Sequence, residues 1–344
     1  MTNPILVEVT RGPVVESRHR GAIVVVDAKG KRRAAIGDVA EPVFPRSAVK
    51  LLQALPLVES GAADACGYGP AELALACASH NGEPRHVAVA TAMLSKCGRS
   101  ADDLECGAHM PLDASAARAL IRAGTTPTPI HNNCSGKHAG FICLACQLGV
   151  DPAGYVEPDH VVQREVTAAL AATTGASLGA ENRAVDGCSI PTFAIPLDGL
   201  AVAFARVVTG EGLPPQRAAA ARRLAEACMA EPWFVAGTGR FCTDVMNSFA
   251  GRLLLKTGAE GVYCAAIPEL GFGIALKCDD GTTRAAEVMM AATIASLLPM
   301  TEPERALFAD RLTPAIESRK GRKVGEIRSV DGLVESIREG RDLS

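Results

Sequence analysis

Aromatic residues make up only 4% of this 344-residue chain, with a single Trp. Hydrophobic residues still reach 48%, so the expected core is aliphatic and alanine-rich, with ample chain to build it. Long runs of one charge are missing too. Lys and Arg number 35 against 38 Asp and Glu, a formal charge of -3, which argues against a nucleic-acid footprint. No apolar run approaches the roughly 20 residues that span a bilayer; the longest nearly uncharged one runs from Met289 to Met300. The opening Met-Thr-Asn-Pro-Ile-Leu lacks a basic segment followed by an apolar one, so no secretory signal and a cytoplasmic location are expected. Internal repeats and low-complexity linkers are absent.

The twelve cysteines are therefore expected to be mostly reduced. Cys77, Cys97, Cys146 and Cys228 sit in apolar helical company and read as small buried hydrophobes. Cys143 and Cys146 have redox-motif spacing, but Ala139 to Leu148 reads as an apolar helix without a metal-loop turn, so no redox role is expected there.

Strands are expected at residues 5–9, 22–27 and around 33–36, with Ala28-Lys29-Gly30-Lys31 as a turn. Helices follow at 71–78, 85–97, 114–123, 135–148, 159–174 and 215–230, punctuated by Gly and Pro. Strand character returns at 252–256, 261–264 and 273–277. Asp279-Asp280-Gly281 reads as a hairpin turn. A helix near 284–298, a last strand at 323–328 and a polar, mobile end complete the pattern. Strands at both termini need partners, and one antiparallel sheet built from both chain ends, covered by the helices, supplies them. The expected class is α+β, a single domain over 1–344 with 60–235 mainly helical.

Four clusters carry chemistry-bearing residues. In Phe44-Pro45-Arg46-Ser47-Ala48-Val49-Lys50 the proline suits a first helical turn, and Ser47 and Lys50 then share one face. A serine needs a base within reach to become a nucleophile; a desolvated lysine can serve. A chain this long holds roughly one Ser-x-x-Lys by chance, so the tetrad alone decides nothing. The second cluster is Ser79-His80-Asn81-Gly82, a serine in a polar turn after a helix. The third, His131-Asn132-Asn133-Cys134-Ser135-Gly136-Lys137-His138, repeats the i, i+3 spacing with Cys134 and Lys137. A thiol at a helix start has a lowered pKa and suits metal binding. Cys188, in Asp186-Gly187-Cys188-Ser189, could add a second thiolate to a tetrahedral zinc site with an open position. His80, His131 and His138 compete as nitrogen donors. The fourth is Lys256-Thr257-Gly258 after an apolar strand, the tripeptide that accompanies Ser-x-x-Lys in penicillin-binding enzymes.

At these residues the chain resembles the class 3, rhizobial-type L-asparaginase family, which has the serine β-lactamase-like fold. The resemblance covers Arg18-His19, Arg46 to Lys50, Cys77 to His80, Asn133 to His138, Asp186 to Cys188 with Pro191, Val235 to Arg240, and Lys256 with its glycine. It implies two adjacent Ser-Lys pairs, Ser47 with Lys50 and Ser79 with Lys256. It also implies a zinc ion held by Cys134, Lys137 and Cys188, with Arg46, His138, Asp186 and Gly239 near the substrate. Phe241 stands where some relatives have tyrosine, so no phenolic role is expected there. The implied activity is that of an amidohydrolase converting L-asparagine to L-aspartate and ammonia. Its expected partners are the small amide substrate and a second copy of the chain in a homodimer, with neither nucleic acid nor membrane. Ser47 is the expected nucleophile, Lys50 its base, and Ser79 and Lys256 a proton relay; the sequence leaves open whether Ser47 or Ser79 is acylated. A penicillin-recognising hydrolase and a non-catalytic zinc or thiol protein are the alternatives.

Overall fold

Both ends of the chain enter one sheet, as the need of terminal strands for partners requires. The computed structural model describes residues 2–340. The amino-terminal strands are β1 (Ile5–Arg11), β2 (Val14–Val26) and β3 (Arg32–Ile36). The carboxy-terminal ones are β4 (Leu254–Thr257), β5 (Val262–Ile267), β6 (Phe272–Cys278), β7 (Ala315–Glu317) and β8 (Lys323–Ser329). They are ordered β7-β8-β1-β2-β6-β5-β4, with β3 also on β2, and every pairing is antiparallel.

The first half of β2 pairs with β1, while its Gly21–Val26 half pairs with β6. That second half is buried throughout, because helices cover both faces. The Leu197–Thr209 helix lies against Gly273, where a Cβ would stand 1.9 Å from Ala201 O. Only glycine permits so close a backbone approach. Gly21, paired beside Cys278 and so directed oppositely, meets Met289 of the Thr283–Leu297 helix. The core is aliphatic as expected, and no helix among the described residues is long and apolar enough to cross a membrane.

The expected helices form at Pro70–Ala76, Pro84–Lys96, Ala114–Arg122, Ser135–Gln147, Val161–Thr174 and Pro215–Ala230. Several details differ. The Leu197–Thr209 helix and a small ribbon, Arg183–Val185 with Pro191–Phe193, interrupt the expected plan. Asp279-Asp280-Gly281 leads into a helix, not a second hairpin strand, because Asp280 Oδ1 accepts from Thr282 N and turns the chain away. The expected mobile end is a Leu333–Glu339 helix that buries Leu333 and Ile337; residues 341–344 lie outside the described residues. The Ser47 turn is a tight 3-10 turn, Arg46–Val49, followed by short helices Lys50–Gln53 and Leu55–Glu59.

Candidate active site

The Ser47 turn and the end of β4 abut. A Cβ on Gly258 would lie 2.4 Å from Pro45 O, so the glycine of Lys-Thr-Gly lets the strand end press against the turn. Arg46 has φ +50, a left-handed conformation that costs a non-glycine residue about 1 kcal/mol or more and is concentrated at functional sites. In a 3-10 turn residues i and i+3 eclipse, so Ser47 and Lys50 leave the same side of the chain.

The lysines then meet a shared serine. Lys50 Nζ lies 2.5 Å from Ala78 O, 3.0 Å from Ser79 Oγ and 3.0 Å from Cys134 Sγ. Lys256 Nζ lies 2.9 Å from Ser79 Oγ and 2.9 Å from Thr257 O. Burial, reinforced by the charge of Lys50, pushes the Lys256 amine down to about 7. Two ammonium groups joined through one buried hydroxyl repel, so one of them is readily neutral. Lys50 is not hydrogen-bonded to Ser47 as the sequence suggests; its amine reaches across to Ser79. The Ser47 hydroxyl is half-buried and has no hydrogen-bond partner among the described residues.

Cys134 caps the Ser135–Gln147 helix, its N–H bonded to Asn132 Oδ1 at 2.8 Å. A hydrogen bond from the Cys188 thiol, with the charges of Lys50 and Lys137, outweighs burial and holds Cys134 well below the ordinary thiol value. The same hydrogen bond, together with burial, pushes Cys188 up. Lys137 Nζ contacts Cys188 Sγ at 3.0 Å. Burial opposes its charge, but Cys188, Cys134 and Asp186 raise its pKa. Asp186 pairs with Arg46 Nε at 2.5 Å. Burial raises the Asp186 carboxyl, and Lys137 and Arg46 overcome it to hold the group below its ordinary value. Ser189, next to Cys188, also has a positive φ, +77, so backbone strain flanks both sides of the site.

These groups enclose a cavity of about 230 Å³ whose wall includes Arg46, Ser47, Cys134, Asp186 and Cys188. Of the expected substrate residues, Arg46 and Asp186 line it. Gly239 and His138 do not. Gly239 lies in the turn before Arg240, whose guanidinium donates to Asn81 Oδ1 at 2.9 Å on the Ser79 side. His138 is fully buried, its Nδ1 2.7 Å from the Tyr155 hydroxyl and its Nε2 without a hydrogen-bond partner among the described residues. Burial, then the charges of Lys137 and Lys50, keep its pKa well below the ordinary value. His80 is engaged by Ser135 and Gly82, and His131 by Thr128. Phe241 packs edge-on against Tyr263 and serves the core.

One wall residue carries no sequence signal. His109 Nε2 accepts from Asn133 N at 3.0 Å, and Nδ1 lies 2.7 Å from Met110 O, which fixes the ring's orientation beside the cavity. Only a coil segment without pattern surrounds it. A larger groove, about 640 Å³, runs past Phe44, Thr174, Asn182 and Asp198, and its lining includes none of Ser47, Lys50, Ser79, Lys256, Cys134 and Cys188.

The arrangement combines a cavity-facing hydroxyl, a buried lysine–serine–lysine chain, an Arg–Asp ion pair and two thiols beside an amine. A family model described as L-asparaginase II matches residues 7–329. No curated protein matches the chain. Among solved structures it is similar to a beta-lactamase from Mycobacterium bovis at 14% identity and a TM-score of 0.36, over 76% of this chain and 88% of that one. It is also similar to Mglu at 16% identity and a TM-score of 0.34, over 77% of this chain and 62% of that one.

Proposed function

The chain belongs to the L-asparaginase II family, an asparagine-hydrolysing enzyme, and from that premise we propose that it works by serine–lysine covalent catalysis beside a zinc ion. The observation that carries the reading is the Lys50–Ser79–Lys256 chain, whose Lys50 amine lies 3.0 Å from Cys134 Sγ in the cavity wall that also includes Ser47. Ser47 Oγ attacks the side-chain amide carbon of asparagine. Its proton passes to Lys50, which hands one on through the Ser79 hydroxyl to neutral Lys256. The Ser47 N–H, at the head of the turn, donates to the developing oxyanion. The proton returns along the chain to the leaving nitrogen, and ammonia departs. Water then enters by the same general-base route, cleaves the β-aspartyl ester and frees aspartate. Arg46 and Asp186 offer one charge of each sign to the substrate's α-carboxylate and α-ammonium groups.

The donor set fits zinc: two thiols, one already biased towards thiolate, and an amine 3.0 Å from one of them. Cys134, Lys137 and Cys188 would hold the ion, which as a Lewis acid beside the cavity would polarise or orient the bound substrate. Lys137 must lose its proton to join, so binding weakens as pH falls.

A second reading makes Ser79 the nucleophile, favoured by its 2.9 Å contact with Lys256. Ammonia release from asparagine, glutamine and asparagine-containing dipeptides tests the activity and its substrate range. Acid-quenched peptide mapping of the acylated enzyme tests the residue. Label on Ser47 supports the first reading, and label on Ser79 replaces it with the second. Absence of ammonia from every amide would refute the activity in this chain.

A further inference from the structure

The helix that starts at Cys134 carries a second thiol group near its other end. Cys143 lies nine residues on, about 13 Å along the axis at 1.5 Å per residue. There it meets Cys66, which ends the Ala62–Ala65 helix, and Cys97, which ends the Pro84–Lys96 helix. The three sulfurs all lie within 4.8 Å of one another, and Cys66 Sγ is 3.1 Å from Cys143 Sγ. All three cysteines are free. Cys146, one helical turn beyond Cys143, places its sulfur 4.0 Å from Cys97 O at the edge of the group.

Inert packing explains this poorly. Cys66 and Cys97 are half-buried and Cys143 is buried, so two of the three residues keep some exposure to solvent. A disulfide explains it only in part, since one pair would suffice and the third sulfur would be idle. Three sulfurs ligating one ion at about 2.3 Å stand about 3.8–4.0 Å apart, a spacing this cluster reaches by small side-chain rotations.

We propose that Cys66, Cys97 and Cys143 form a trithiolate site for a soft d10 cation, of the zinc, cadmium or copper(I) kind, separate from the catalytic cavity. Thiolates select such ions over hard ones. Binding releases the thiol protons to solvent and ties three helices together, so the loaded protein melts at a higher temperature.

The test uses the full chain, stripped by a chelator and kept reduced and anaerobic. Cd2+ is titrated in, and thiolate-to-metal charge-transfer absorbance and bound metal are measured. Wild type is expected to bind one cation more than Cys97→Ser or Cys66→Ser, whatever is held at Cys134 and Cys188, and those variants keep ammonia release. In wild type, Cd2+ is expected to protect Cys66 and Cys97 from alkylation, a readout that needs no variant to fold. Equal uptake by wild type and Cys97→Ser, with no protection, would overturn the site. A Cys66–Cys143 disulfide on exposure to peroxide, without cadmium uptake by the reduced protein, would overturn it in favour of a redox pair. Displacement of the bound Cd2+ by Zn2+ or by Cu+ supports the site and distinguishes its resident ion.

Discussion

Replacing Lys256 by methionine should make the protein more stable at acid pH while abolishing its activity. The amine is buried, and its pKa falls from 10.5 to about 7. At about 1.36 kcal/mol per pH unit, carrying that charge in the fold costs about 5 kcal/mol. The sign follows from proton binding. Below pH 7 the amine is charged in both states and the cost is fully present. Between about 7 and 10.5 the unfolded chain still binds the proton and the folded one does not, so wild-type stability rises with pH by about 1.4 kcal/mol per unit. Methionine fills similar space without charge but leaves Ser79 Oγ and Thr257 O without their donor, a loss of about 1–2 kcal/mol each.

The variant should therefore be about 1–3 kcal/mol more stable than wild type near pH 6, and the advantage should vanish or reverse by pH 9. Lys50, Arg240, Cys242, Cys134, Cys77 and Cys264 all face this amine electrostatically and are present in both proteins, so their titrations largely cancel in the comparison. Urea unfolding at pH 6, 7, 8 and 9 measures the difference. Curves that run parallel across that range would show that Lys256 titrates elsewhere and would remove it as the base. In wild type, turnover should rise with pH through about 7 as Lys256 loses its proton, then level off. The variant should lose about 10²–10⁴-fold in kcat, the usual worth of a positioned base.

Ser47→Ala should lower kcat at least about 10³-fold with little change in melting temperature, because the hydroxyl is half-buried and has no hydrogen-bond partner among the described residues; retained turnover would transfer the attack to Ser79. Purified reduced protein should carry about one zinc at the Cys134–Cys188 site, and Cys134→Ser and Cys188→Ser should each lower that content, seen by elemental analysis, and raise KM more than they lower kcat. Gly258→Ala should destabilise the fold by about 2 kcal/mol or more and depress activity, since its Cβ would stand 2.4 Å from Pro45 O and drive β4 away from the Ser47 turn; thermal unfolding and ammonia release measure both effects.

What could be read from the sequence was local, or forced by a need for partners. Ser47 and Lys50 sit on one turn, Cys134 stands at a helix start, and terminal strands had nowhere to pair but with each other. The Leu197–Thr209 helix escaped because its start is unmarked: Pro196 stands at the N-cap and no side chain caps the first turn. Cys97 read as a thiol of an apolar helix, Cys143 drew notice only for its spacing to Cys146, Cys66 carried no signal, and only the packing of three helices joins them. The catalytic pairing shows why such reading stops short. The flexible stem of Lys50 carries its amine past its own turn to Ser79, 29 residues away, and Lys256 arrives there from 177 residues further on. Each lysine alone is a cation on an apolar segment. The lowered pKa that qualifies Lys256 as a base belongs to its burial and to the charge of Lys50, so it comes into being only when the sheet closes from both ends of the chain.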